Sequence, residues 1–258
     1  MTAVGDWRGD WLSLLRQTAD AVQAALSTFD RWHDGGDRPD QYALDQVADA
    51  AALEVLDAAG VGVLSEESGL RPGSGASTVI IDPVDGSTNA SRGIPHYCIS
   101  LCAVEGLTPV AGLVRHLVSG EEFTATAGDG ARRNGQPIIP SGRTNGERAV
   151  IGVSGRPGAD LPVWQVRVLG SAALDLCAVA CGRLDAYIDL NSNHGVWDYA
   201  AGVLICAEAG AWTGEAGGRE LFHLSHSERR GPVAASTAEL AVLLGHAQHE
   251  ESAPGAER

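Results

Sequence analysis

Apolar residues recur at helical spacing from about Asp6 to Phe29 (Trp11, Leu14, Leu15, Ala19, Val22, Leu26), which predicts an amphipathic helix. The Gly/Asp-rich segment HDGGDRPD, residues 33–40, interrupts the pattern. A second helix is predicted from about Asp45 to Ala59, with Val47, Ala51, Val55 and Leu56 along one side and Gly60 as its C-cap. The spacing then shortens. VGVLSEESGL is a short apolar run ending on two glutamates, and STVIIDPVDGSTN is a buried strand that stops at an acidic, turn-forming segment. HYCISLCAVEG, PVAGLVRHLV and EEFTATAG are successive strands with tight connections, so this part of the sheet is expected to be antiparallel. The glycine- and arginine-rich stretch 128–148 is read as a loop joining two halves.

The second half alternates. AVIGVS and VRVLG are strand-like, SAALDLCAVACG is helical, DAYIDL is a strand and WDYAAGVLICAEAG a helix. GPVAAS is a short strand and TAELAVLLGHA a last helix, with a disordered tail expected over 249–258. The mixture suggests a layered α/β architecture, not a simple doubly wound sheet. One catalytic domain is expected, with an N-terminal half over about 1–145 and a C-terminal half over about 146–248.

Charge and composition narrow the function. The formal net charge is −15, with no lysine among the 18 basic residues. Schiff-base and Walker-type lysine chemistry are therefore excluded. A nucleic-acid partner or an anionic membrane would need a basic footprint that the chain lacks. No apolar run reaches the length of a membrane span, and Met1–Asp10 has no apolar signal core, so a cytoplasmic protein is expected. The five cysteines form no paired CxxC spacing and read as buried, reduced thiols.

The most informative stretch is Asp82-Pro83-Val84-Asp85-Gly86-Ser87-Thr88-Asn89. An aliphatic strand delivers Asp82 at its end, and Asp85 lies three residues on, so one turn can aim both carboxylates at a common point. Gly86 permits close backbone approach, Ser87-Thr88-Asn89 favours a helix start, and the exposed amides of such a turn would bind phosphate. Taken singly, this is an Asx-rich turn, Asp198 an N-cap and Glu66-Glu67 a solvated acidic loop. Together, Glu66, Asp82, Asp85 and Asp198 sit at element ends and read as a site for a hard cation, for which magnesium is suited.

In that order, LSEES, DPVDGSTN and WDYAAG resemble the three signature motifs of the inositol monophosphatase family, and the resemblance spans the Asp45 region to about Gly210. It implies a layered α-β-α-β-α sandwich, mixed α+β, of the inositol monophosphatase/fructose bisphosphatase type. It also implies Mg2+-dependent hydrolysis of a small phosphorylated polyol by direct water attack, with inositol 1-phosphate the leading substrate. By resemblance, Glu66, Asp82, the main-chain carbonyl of Val84, Asp85 and Asp198 are the ligands of two or three Mg2+ ions, with Asp82 bridging two. Glu67 is assigned outside that set. Asp45 and Ser87 orient or deprotonate the water, with a helix N-cap the alternative reading of Asp45. Tyr42 stands where the family usually has threonine, and Arg38 is the nearest basic residue before it.

The substrate pocket implied by the resemblance takes in Asp85, Gly86, Ser87, Thr88, Gly170, Ser171, Ala172, Asp189 and Asp198. Ser171 is alternatively a plain helix cap. Asp189 is set against substrate hydroxyls, and His194, in the long segment NSNHGV, is read as a solvated loop histidine. A homodimer is common in the family. The chain lacks the DxDx(T/V) nucleophile motif, the aspartates of DPVDG being three apart. DGSTN differs from the DGTKEF of phosphoadenosine phosphate phosphatases. Histidinol-phosphate phosphatase and fructose-1,6-bisphosphatase activities stay open, as does a non-catalytic metal-binding interaction protein on this fold.

Overall fold

A computed structural model describes residues 9–38, 41–156 and 161–245; the expected tail 249–258 lies outside them. The predicted first helix is α1 (Trp11–Ser27), opened by Asp10, whose Oδ1 accepts from Ser13 N at 3.0 Å. The second, α2 (Ala43–Ala59), starts two residues before the sequence pattern suggests and closes on Gly60 at φ 73. Both pack side by side against one face of a large sheet.

That sheet is formed by β1 (Gly62–Ser65), β2 (Gly69–Arg71), β3 (Ser77–Asp85), β4 (Cys98–Glu105), β5 (Thr108–His116), β6 (Glu122–Thr126), β7 (Ala131–Arg133) and β8 (Gln136–Pro137). Its spatial order is β2-β1-β3-β4-β5-β6-β7-β8, with β1 and β3 parallel and the other pairs antiparallel. The stretch expected to be loop therefore holds a tight hairpin. It turns on Asn134 (φ 49) and Gly135 (φ 78), the left-handed pair that a two-residue hairpin favours.

Both faces of the large sheet are covered, which is why its strands are apolar at nearly every position. Val63, Val79, Ile81, Ile99 and Leu101 pack toward α1 and α2. The alternate residues Leu64, Ile80, Cys98, Cys102 and Val114 pack toward α4 (Ala172–Ala180) and α5 (Val196–Ala209). Beyond those helices lies a second sheet of β9 (Val150–Ser154), β10 (Gln165–Arg167), β11 (Ala186–Asp189), β12 (Trp212–Glu215) and β13 (Pro232–Ala235), ordered β10-β9-β11-β13-β12. It is mixed, with β10, β9 and β11 parallel and β13 and β12 antiparallel. The last helix, α6 (Ala238–Leu243), covers its outer face through Leu240 and Ala241. The layers run α-β-α-β-α, as the fold class anticipates. Among the described residues no helix is long and apolar enough to cross a membrane.

Candidate active site

Strand β3 does not stop at Asp82; it continues to Asp85 through a bulge. Asp82 pairs with Ser100 and Asp85 with Cys98, so three steps on β3 match two on β4. In an unbroken strand, residues three apart would face opposite sides of the sheet. The extra residue restores the phase, and cross-strand partners share a face. Asp82 and Asp85 are thus turned together toward the helices of the central layer. The chain then turns at Gly86, φ 91, where an added Cβ would lie 3.0 Å from the His96 carbonyl and 3.1 Å from that of Gly170. A single helical turn, α3 (Ser87–Ser91), follows, and Ala90 N is bonded to Gly86 O.

Three elements converge here. Glu66 follows β1, its N–H donating to Ile81 O at 3.2 Å. Asp198 lies in the first turn of α5, where Oδ2 accepts from Gly195 N at 2.9 Å. It is therefore not the N-cap but a carboxylate reaching back to that position. Glu66, Asp82 and Asp198 each offer an oxygen within 4.8 Å of the others. Opposite ligands across an octahedral Mg2+ ion are about 4.2 Å apart, so this oxygen-only donor set fits a hard divalent cation.

Asp85 stands beside the trio and is tied to α4. Its Oδ2 accepts from Ser171 Oγ and Ala173 N, both at 2.7 Å. Ser171 caps α4 as well, accepting from Leu174 N at 3.4 Å. Gly170 and Ala172 flank that cap, so the expected pocket segment meets the acidic turn through Asp85.

The electrostatics are adverse to an empty cluster. Burial, then the charges of Asp198, Glu67, Asp45 and Asp85, push the Glu66 carboxyl well above the usual range. Asp82 is displaced the same way, by burial first and then by Glu66, Asp85 and Asp198. Asp85 is raised to about 7: burial dominates, Asp198 adds, and the bonds from Ser171 and Ala173 oppose.

Asp45 is buried in the first turn of α2, where its Oδ2 accepts from Tyr42 N at 2.9 Å. It is not the N-cap; Tyr42 is. Burial, opposed by the Tyr42 N–H and abetted by Glu67, raises its carboxyl to about 7. Among the described residues no hydrogen bond joins Asp45 to Ser87. The phenol of Tyr42 instead reaches Thr88 Oγ1 at 3.4 Å, linking α2 to α3. Glu67 is not one of the trio and is held by Arg38 and Gln41.

Two expectations need correction. Asp189, 2% exposed, does not present a free carboxylate: Oδ1 accepts from Asn191 N at 2.9 Å and Oδ2 from Asn193 N at 3.0 Å. It knots the loop after β11. His194, in that loop, is not solvated. Its Nδ1 lies 2.8 Å from Asp198 Oδ2 and its Nε2 2.9 Å from the Tyr187 hydroxyl. Burial would lower its pKa, but the Asp198 bond and the charges of Asp198, Asp189 and Asp85 outweigh it and lift the imidazole to about 9. Sequence reasoning also missed His226, whose Nε2 is 2.9 Å from the Glu66 carbonyl oxygen. No local pattern marks it, because its partner is 160 residues away.

The same chain pattern recurs in known proteins. The inositol monophosphatase family model matches residues 14–253. A fructose-1,6-bisphosphatase/inositol-1-monophosphatase of Archaeoglobus fulgidus is 36% identical over 223 residues, 82% of this chain and 87% of that protein. A Nus factor SuhB of Xylella fastidiosa is 38% identical over 185 residues, 66% of each. The crystal structure of an inositol monophosphatase-fructose 1,6 bisphosphatase superposes with a TM-score of 0.82 at 29% identity, covering 90% of this chain and 97% of that one. With motifs, layers and an extensive sequence match in agreement, the chain belongs to the inositol monophosphatase family, and it is a phosphoric monoester hydrolase.

Proposed function

We propose that the chain hydrolyses a small polyol phosphate monoester, inositol 1-phosphate before others, with Mg2+ held by Glu66, Asp82 and Asp198. The observation that carries this is the convergence of three carboxylates from β1, β3 and α5 within 4.8 Å. Asp85 and the Val84 carbonyl complete the proposed donor set. Mg2+ would supply the charge that offsets a phosphate dianion and the acidity that makes water a nucleophile at neutral pH.

The chain's own groups have separate tasks in this reading. The Ser87 and Thr88 amides precede the first closed bond of α3 and take phosphate oxygens. Asp45, ionised near neutral pH, accepts the proton of the attacking water, with Ser87 orienting that water. Tyr42 links α2 to α3 through Thr88. The Gly170-Ser171-Ala172 corner borders the polyol, and Asp189 serves it only indirectly, by holding the loop that carries His194. Five free thiols, four of them buried, support a reducing, cytoplasmic setting. A homodimer belongs to the same proposal, supported by exposed Trp164 and Val168 flanking the edge strand β10.

The test is phosphate release from inositol 1-phosphate, histidinol phosphate, fructose 1,6-bisphosphate and phosphoadenosine phosphate, each with Mg2+ and with chelator. The expected result is a higher kcat/KM for a polyol monoester than for the nucleotide, and none in chelator. A clear preference for the nucleotide would overturn the substrate assignment. No phosphate release from any of them would favour a non-catalytic interaction role on this fold.

A further inference from the structure

The three convergent carboxylates belong to different halves of the molecule. Glu66 follows β1 and Asp82 lies within β3 of the large sheet, whereas Asp198 rides on α5 of the central layer. Something must set the distance between the two groups, and a hydrogen-bonded excursion of the second sheet spans it.

The connection between β12 and β13, residues 216–231, is long for a hairpin, and loops of this length in compact domains are usually functional. Its base is fixed by Glu215, which accepts from Gly217 N at 2.7 Å, Arg219 N at 3.1 Å and Gly231 N at 3.1 Å. Midway, the Tyr199 hydroxyl of α5 donates to Leu221 O at 2.6 Å. The far end reaches the chain just beyond β1, where His226 Nε2 lies 2.9 Å from Glu66 O. A carbonyl can only accept, so Nε2 carries the proton. The same imidazole packs on Trp197, ring centroids 4.8 Å apart at 34°. Trp197 immediately precedes Asp198.

The neighbours of His226 reinforce the contact. Arg229 donates from Nη1 to His226 O at 2.9 Å and lies over the Trp197 ring at 5.2 Å. Arg230 and His194 pair through their backbones in both directions, at 3.1 and 2.9 Å, and His194 holds Asp198. The segment from His226 to Arg230 therefore touches Glu66 on one side and both flanks of Asp198 on the other.

We propose that His226 is a positioning residue that holds Glu66 and Asp198 at the spacing a divalent cation requires. The inference deepens the metal reading above and rests on it. Removing partners that orient metal ligands typically weakens metal binding by about 10- to 100-fold.

The test uses the full chain and Mg2+ alone, read by calorimetry and by the Mg2+-dependent rise in Tm, with His226→Ala, His226→Phe and His226→Gln. Phenylalanine keeps the stack on Trp197 but loses the donor to Glu66; glutamine keeps a donor. The expected result is Mg2+ affinity weakened by about tenfold in the alanine and phenylalanine variants and largely restored in the glutamine variant. Their Tm in chelator should stay close to that of the wild type. Wild-type Mg2+ affinity in His226→Phe, against a wild-type protein that responds to Mg2+, would overturn the inference while sparing the metal reading. No Mg2+ response in the wild type itself would overturn both.

Discussion

Asp82→Asn is expected to lower kcat/KM by at least about a thousandfold, roughly 4 kcal/mol of transition-state stabilisation. Asparagine still offers Oδ1 to the Val84 N–H, now bonded at 2.9 Å, so the bulge should survive and the fold with it. What disappears is one negative charge at the centre of the carboxylate group, next to Glu66, Asp85 and Asp198. The Mg2+-induced rise in Tm should vanish together with activity. Glu67→Gln is the matched control, because Glu67 is already bound to Arg38 and Gln41, and it should cost little. Steady-state phosphate release and thermal melts check both variants. A fully active Asp82→Asn enzyme would remove the ion from the account.

Asp45→Asn carries the second large effect, about a hundredfold in kcat with KM and Mg2+ affinity nearly unchanged. The amide oxygen can still accept from Tyr42 N, so the start of α2 is kept. Only the proton acceptor is lost. Burial raises Asp45 to about 7, and a base works only when ionised, so wild-type activity should climb with pH through an acid limb at or below pH 7. Cations bound nearby would shift that limb downward. In the variant the limb should flatten. Near-wild-type turnover with the limb intact would reduce Asp45 to a helix-terminal residue.

Much of the fold was legible because its covered sheet forces apolar runs and its helices carry regular stripes. The hairpin of β7 and β8 was read as loop, because its strands are too short to show alternation. The site was legible where its carboxylates sit in short acidic motifs. The common facing of Asp82 and Asp85 was not, because it depends on a bulge set by pairing with β4. His194 looked like a solvated loop residue since its partners, Tyr187 and Asp198, are brought around it only by the fold. Asp189 was assigned to substrate because nothing local reveals that loop amides occupy both its oxygens.

The most direct test of the account is the melting temperature of the wild-type chain with excess chelator and with saturating Mg2+, measured at pH 5 and at pH 8. Glu66, Asp82 and Asp85 have folded-state pKa values raised by burial and mutual repulsion, Asp85 to about 7. Between about pH 4 and 7 the folded chain then holds more protons than the unfolded one, so its stability in chelator falls as pH rises through that window. Mg2+ replaces those protons and should restore roughly 5 °C or more at pH 8, and much less at pH 5. A Mg2+ shift that is absent, or equal at the two pH values, would contradict a cation site built from these carboxylates.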